Sequence, residues 1–177
     1  MINEDSTNFN SYSPLDYCWN KSYSKFSSDY TLGEQEDGLS SPLFEKGEGW
    51  VGPVLTKGNA NTENLTTPNS FNGGPDANVR ITIVSSNSAE VLPPVNPPPN
   101  NHNTKLYFNN SLIIDTSYYG YEKINFKFPA TVSSTSSAIK HEIGTIGQGA
   151  DRQHSSEITI WYPHNLDFNG DSTFTFG

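Results

Sequence analysis

The sequence holds a single cysteine, Cys18, so an internal disulfide framework is excluded. Cys18 reads as a small, semi-buried residue beside Tyr17 and Trp19, because no base stands near it in sequence to make a nucleophile. Long apolar runs are missing too. No stretch approaches the roughly 18 residues a membrane-spanning helix needs, and Met1 to Asn10 is polar and acidic, which predicts no secretory signal. Alanine is scarce and leucine modest, which argues against helical bundles. Apolar residues make up only 33% of the 177, and their places are taken by Asn, Ser, Thr, Gly and Pro, which favour turns and edges over helices.

Positive charge is also in short supply. Ten Lys and Arg face nineteen Asp and Glu, a net charge of −9. The imbalance is concentrated early: residues 1–50 carry nine acids against three lysines, and residues 51–177 carry ten acids against seven bases. Such a chain repels phosphate backbones, so no direct nucleic-acid partner is expected. No basic amphipathic helix points to a membrane surface. The three N-x-S/T sequons, at Asn20, Asn64 and Asn109, read as chance in an Asn-rich chain.

What is present is aromatic: 12% of residues are Phe, Trp or Tyr. In residues 1–77 they are spaced through polar sequence (Phe9, Tyr12, Tyr17, Trp19, Tyr23, Phe26, Tyr30, Phe44, Trp50) with no sustained period of 3.6 or 2. A solvated tail carries few aromatics. Residues 1–77 are therefore expected to be a long, largely irregular arm that lays its aromatics on its own C-terminal domain or on a neighbour. Short strands are expected at Trp50 to Leu55, and a loop from Gly58 to Pro75.

Residues 78–177 are expected to form an antiparallel β-sandwich, jelly-roll or immunoglobulin-like. Val79, Ile81 and Ile83 alternate with Arg80 and Thr82, the mark of a half-buried strand. Five prolines within Pro93–Pro99 predict a stiff connection, with docking to an aromatic groove as its functional counterpart. Lys105 to Phe108 and Leu112 to Asp115 flank Asn109-Asn110-Ser111 as a tight hairpin. Ile124, Phe126 and Phe128 share one face of a strand that Pro129 is expected to end. Weaker strand signal runs from Ala138 to Ile146, a loop from Gly147 to Ser156, and strands follow at Glu157 to Tyr162 and Asp171 to Phe176. About seven strands without helical patterns between them exclude βαβ units and leave two packed antiparallel sheets.

Candidate sites are few. Asp167, Asn169 and Asp171 occupy the first, third and fifth positions of a calcium-loop start. Position six is Ser172 where that loop has Gly, and position twelve falls beyond Gly177. Asn169-Gly170 is the preferred type I′ turn pair, so a hairpin is favoured and a calcium ion shared with another loop is left open. His141-Glu142 begins a zinc-protease pattern, but position 145 is Thr in place of the second histidine. Asp151, Arg152 and His154 are expected in one loop, either a sugar-binding loop with Trp161 or Tyr162 as stacking face or a plain polar surface. Tyr118, Tyr119 and Tyr121 surround Gly120 as an exposed binding loop or as caps on the core. No G-x-S-x-G elbow, phosphate loop or dinucleotide fingerprint occurs, and nothing singles out a pair of catalytic carboxylates.

These features predict a non-enzymatic structural component of an external assembly, such as a minor capsid, penton or spike protein. Its Asn/Ser/Thr-rich composition resembles that of phage fibre and capsid proteins. Expected partners are other structural proteins of that assembly, further copies of the chain as a homo-oligomer, and a host glycan; the expected location is a virion or an extracellular surface. No cofactor beyond the open calcium is expected. The alternatives are a carbohydrate-binding module or lectin-like adhesin, and a sandwich-fold glycan-active enzyme, which needs a cleft with paired acids.

Overall fold

The computed structural model describes residues 16–34, 43, 46–86, 100–132, 135–145 and 151–166. The proline run 91–99, the Asp167–Asp171 turn and the strand expected at Asp171–Phe176 lie outside the described residues. Among the described residues, eleven strands run in order: β1 (Tyr17–Lys25), β2 (Asp29–Leu32), β3 (Glu48–Val51), β4 (Leu55–Thr56), β5 (Ala60–Thr66), β6 (Ala77–Ser85), β7 (His102–Phe108), β8 (Ser111–Tyr118), β9 (Lys123–Ala130), β10 (Ser136–Ile143) and β11 (Arg152–Asn165). Among the described residues there is no helix long and apolar enough to cross a membrane.

Two antiparallel sheets face each other. One has the order β1-β11-β6-β9, with β4 beside β11, and the other the order β5-β10-β7-β8. The pairing is nested: β1 with β11, β5 with β10, β6 with β9, β7 with β8. The chain is thus one long two-stranded ribbon, folded at the β7–β8 hairpin and rolled so that successive strand pairs fall in alternate sheets. That winding is a jelly roll, a choice that strand spacing leaves open. The hairpin tip is Asn109-Asn110, both at positive φ (46° and 68°), as a type I′ turn requires.

The expected arm is corrected here. Residues 17–66 supply five strands, and β1 and β5 are full members of the two sheets. The first half does lie on its own C-terminal half, but as hydrogen-bonded strands instead of irregular chain. It escapes the period-2 test because the inward positions of β1 are Cys18, Asn20, Ser22 and Ser24, small or polar residues on a sheet edge. Likewise β5 sits where a loop was expected from Gly58 to Pro75. Pro129 does not end its strand: it lies inside β9 opposite Asn78, tolerated because β9 is an edge strand and needs no second donor there. The expected loop 147–156 ends early, since β11 begins at Arg152.

The core between the sheets has two chemically different halves. One is apolar: Val79, Ile81 and Ile83 of β6, Leu106 and Phe108 of β7, Phe128 of β9, Ile139 of β10 and Ile158, Ile160 and Tyr162 of β11 pack together. Phe108 and Phe128 meet edge to face across the sheets at 6.4 Å. Burial of each such side chain contributes about 1.5–3 kcal/mol. The other half is polar, filled by His102, Thr104, His141, Asp151, Gln153 and Ser155, all withdrawn from solvent.

A β-bulge in β11 divides the two. The register against β6 shifts between Ser155 and Glu157. With Ile158, Ile160 and Tyr162 facing inward, unbroken alternation would bring Arg152 and His154 inward as well. The extra residue reverses the parity, so Gln153 and Ser155 enter the core and Arg152 and His154 face out.

Candidate functional site

Outside the bulged end of β11 lies a cleft of about 350 Å³. Its walls are β2 and its following turn (Asp29, Tyr30, Thr31, Leu32, Gly33), Val54, Ser86, Tyr121, Arg152 and His154. A volume near 350 Å³ falls at the small end of the range for small-molecule sites.

Local bonding explains how these side chains come together. The β2–β3 ribbon crosses the outer face of the sheet and is pinned to the bulge: Gly52 N donates to Ser155 O (2.8 Å), Phe26 N to Ser156 O (3.0 Å) and Ser156 Oγ to Trp50 O (2.8 Å). His154 Nδ1 lies 2.9 Å from Gly52 O, so that nitrogen carries the proton and donates it. On the ribbon, Tyr30 stands opposite Trp50 with the rings edge to face at 5.2 Å, and its hydroxyl bonds Glu48. That hydrogen bond to Glu48, with lesser contributions from desolvation and the carboxylate charge, raises the Tyr30 pKa. The phenol therefore stays protonated at neutral pH.

Tyr121 is held from beneath. Ser85 Oγ donates to Gly120 O (2.7 Å) and accepts from Glu122 N (2.7 Å), and Asn101 Oδ1 accepts from Gly120 N (3.0 Å). Above it, Gly47 sits at φ +79°, where a Cβ would come within 3.1 Å of Ser85 O and 3.5 Å of Tyr121 Cβ. Glycine is the residue that allows this close crossing.

Behind the cleft stands the polar half of the core. Asp151 accepts hydrogen bonds from His102 Nδ1 (2.7 Å), Asn103 N (2.9 Å) and Gln153 Nε2 (3.0 Å). Gln153 Oε1 accepts from Thr104 Oγ1 and from His141 Nε2 (3.3 Å), which leaves His141 Nδ1 to accept from Ser155 Oγ (3.1 Å). Burial drives the His141 pKa down to about 4, against smaller opposing effects of the Gln153 hydrogen bond and the Asp151 charge, so this imidazole is neutral at pH 7. The tautomers follow from the bonding partners.

Of the six residues expected to bind a ligand, Tyr121, Arg152 and His154 meet in the cleft. Asp151 and Tyr118 do not join them. Asp151 is a buried acceptor, not a residue of a polar surface loop. Tyr118 ends β8, its ring lies tilted against that of His102 with centroids 5.0 Å apart, and its pKa is driven far up, mainly by burial. Tyr119 is half-buried and stands apart from the cleft walls. Asp167, Asn169 and Asp171 lie outside the described residues. Among the described residues, no three His, Cys, Asp or Glu side chains gather to hold a metal ion. No local pattern marks Asp29, Val54 and Ser86, and Tyr30 is legible only as one of the spaced aromatics, since the four meet only through the crossing ribbon.

No protein-family model matches the sequence, and no curated protein matches it. Among solved structures, the chain is similar to dimeric latent PorU from Porphyromonas gingivalis, with a TM-score of 0.62 and 12% identity. The match covers 89% of this chain and 14% of that one. A second match is the CBM36-1 domain of a multidomain xylanase from the hindgut metagenome of Trinervitermes trinervoides, with a TM-score of 0.43 and 14% identity over 80% of this chain and 96% of that one. The first likeness shows a shared β-sandwich fold over a small part of a much longer protein.

Proposed function

We propose that this jelly roll is a non-catalytic binding module whose cleft receives a sugar residue of a glycan. The observation that carries the reading is the wall of the cleft itself: Tyr121, Arg152, His154 and Ser86 line it opposite the β2 strand from Asp29 to Gly33. Tyrosine rings offer rigid apolar faces with a polar edge, and charged and hydroxyl groups around them match the hydroxyls of a sugar. A site that hydrogen-bonds hydroxyls discriminates strongly against ligands lacking them, because its polar groups are then left unpaired. The test is a glycan microarray probed with the wild-type chain and with Arg152→Ala. Binding of a defined glycan set by wild type that the variant loses supports the reading; an empty array, or identical binding by both, contradicts it.

The second reading is a structural role in an external assembly, a virion among them. It draws on the outer side of the β2–β3 ribbon, where Trp50 is 61% and Leu32 54% exposed beside Tyr30. Light scattering separates the two: concentration-dependent growth that Trp50→Ser abolishes favours assembly, and a monomer at all concentrations leaves the glycan module.

A further inference from the structure

Six of the ten Lys and Arg of this acidic chain point outward from one sheet, β1-β11-β6-β9. Its outward positions carry Lys21 and Lys25 on β1, Arg80 on β6, Lys123 and Lys127 on β9 and, in the cleft, Arg152 of β11, against a single acid of the sheet, Glu157 of β11. Glu157 is already committed: Arg80 Nη2 lies 2.6 Å from its Oε1. Burial opposes its ionisation, yet Thr159, Arg80 and Lys25 together hold its carboxyl below the usual carboxylate range. On this face the protein inverts its overall charge.

The cations are interleaved with aromatic rings. Trp19, Lys21, Tyr23 and Lys25 alternate with inward residues along β1, and Trp161 stands opposite Lys21 on β11. Lys21 Nζ lies 5.0 Å from the centre of the Tyr23 ring and 5.4 Å from that of Trp161; the Arg80 guanidinium lies 5.4 Å from Trp161 on the other side. Tyr23 is 57% exposed. Between Trp161 and β9 runs a shallow groove of about 250 Å³, with Arg80 and Lys127 on its walls. Arg80 Nε is buried and makes no hydrogen bond among the described residues.

We infer that this face is a second binding surface, distinct from the cleft, and that its ligand is an acidic polysaccharide bearing carboxylates on successive sugars. Charge complementarity selects an anion. Exposed aromatic faces select rings that stack flat, and the open sheet fits an extended chain. Lys21, Lys25 and Lys127 offer point charges to the polysaccharide's carboxylates, on either side of the Arg80–Glu157 pair. Nucleic acid is the competing polyanion, and displacement by an oligonucleotide tells the two apart.

The test is affinity electrophoresis of the full chain through gels holding polygalacturonate, with fully methyl-esterified polygalacturonate as the uncharged control. Retardation is expected in the acidic gel alone, reduced by salt because the contacts are ionic and exposed. Lys21→Gln with Lys127→Gln leaves the core untouched and is expected to weaken retention about tenfold, with Arg80→Gln doing the same. Arg152→Ala in the cleft is expected to leave it unchanged, so failure of the cleft reading does not touch this one. No retardation at low salt, equal retardation in the esterified gel, or undiminished retention by the face variants overturns the inference. So does displacement by an equal mass of single-stranded oligothymidylate, which assigns the face to nucleic acid instead.

Discussion

His102 Nδ1 and Asp151 Oδ1 lie 2.7 Å apart between the two sheets, with both side chains almost wholly withdrawn from water. The same carboxylate also receives Asn103 N and Gln153 Nε2. Asp151 is thus the common acceptor for three buried donors on β7 and β11, and it joins the sheets where apolar packing gives out. Replacing Asp151 with Ala leaves those donors unpaired, at an expected cost of about 3–5 kcal/mol. Lys46→Ala, which breaks the exposed pair with Glu122, is expected to cost under about 1 kcal/mol. Chemical denaturation of the two variants measures both, and equal midpoints would refute this role for Asp151.

His141 makes stability depend on pH in a defined window. The unfolded chain takes up this proton near the ordinary value of 6.5, the folded chain near 4. Below pH 6.5 the unfolded state therefore binds more protons, and stability that is full above 6.5 falls as the pH drops toward 4. The loss from this one group is roughly 3 kcal/mol. His141→Gln removes the titrating ring, so its denaturation midpoint is expected to change less between pH 6.5 and 4 than that of wild type. Parallel pH profiles would show that the ring does not titrate as described.

Truncation tests the winding of the chain. A fragment of residues 78–177 lacks β1 and β5, the outer partners of β11 and β10. It is expected to show no cooperative thermal transition and no fixed near-ultraviolet circular dichroism, because two long strands lose a hydrogen-bonded neighbour and their apolar faces lose cover. A fragment that unfolds cooperatively would mean that the first half is an appendage after all.

This is also where sequence and structure part. Of the strands legible in the sequence, β6, β9 and the second half of β11 put Val79, Ile81 and Ile83, or Phe126 and Phe128, or Ile158 and Ile160, on one face; the β7–β8 hairpin and β10 were legible as well. β1 and β5 cannot be read in that way, since Asn20 and Ser22, or Asn61 and Glu63, stand where apolar residues mark a strand. The bulge at Ser155–Glu157 carries no sequence mark either, and it alone decides that Arg152 and His154 face out while Gln153 faces in. Tyr121, Arg152 and His154 were legible as candidates by residue type. Their meeting with Asp29 and Tyr30 was not, because it depends on a ribbon crossing from a distant part of the chain.

Gly47 is the pivot of that crossing. At φ +79° and within 3.1 Å of Ser85 O, a Cβ is disfavoured by both backbone and space. Gly47→Ala is expected to cost about 1–3 kcal/mol. It is also expected to shift the ribbon off Tyr121, which weakens any ligand bound in the cleft. Unchanged thermal stability in Gly47→Ala would contradict the placement of the ribbon.

The most direct test of the cleft is amide chemical-shift mapping of the isotope-labelled chain during titration with the glycans that a microarray selects. The account expects the perturbed amides to gather at Asp29 to Gly33, Ser86, Tyr121 and Arg152 to His154, and to move less in Arg152→Ala. Shifts confined to another face, or no shifts at all, would contradict it.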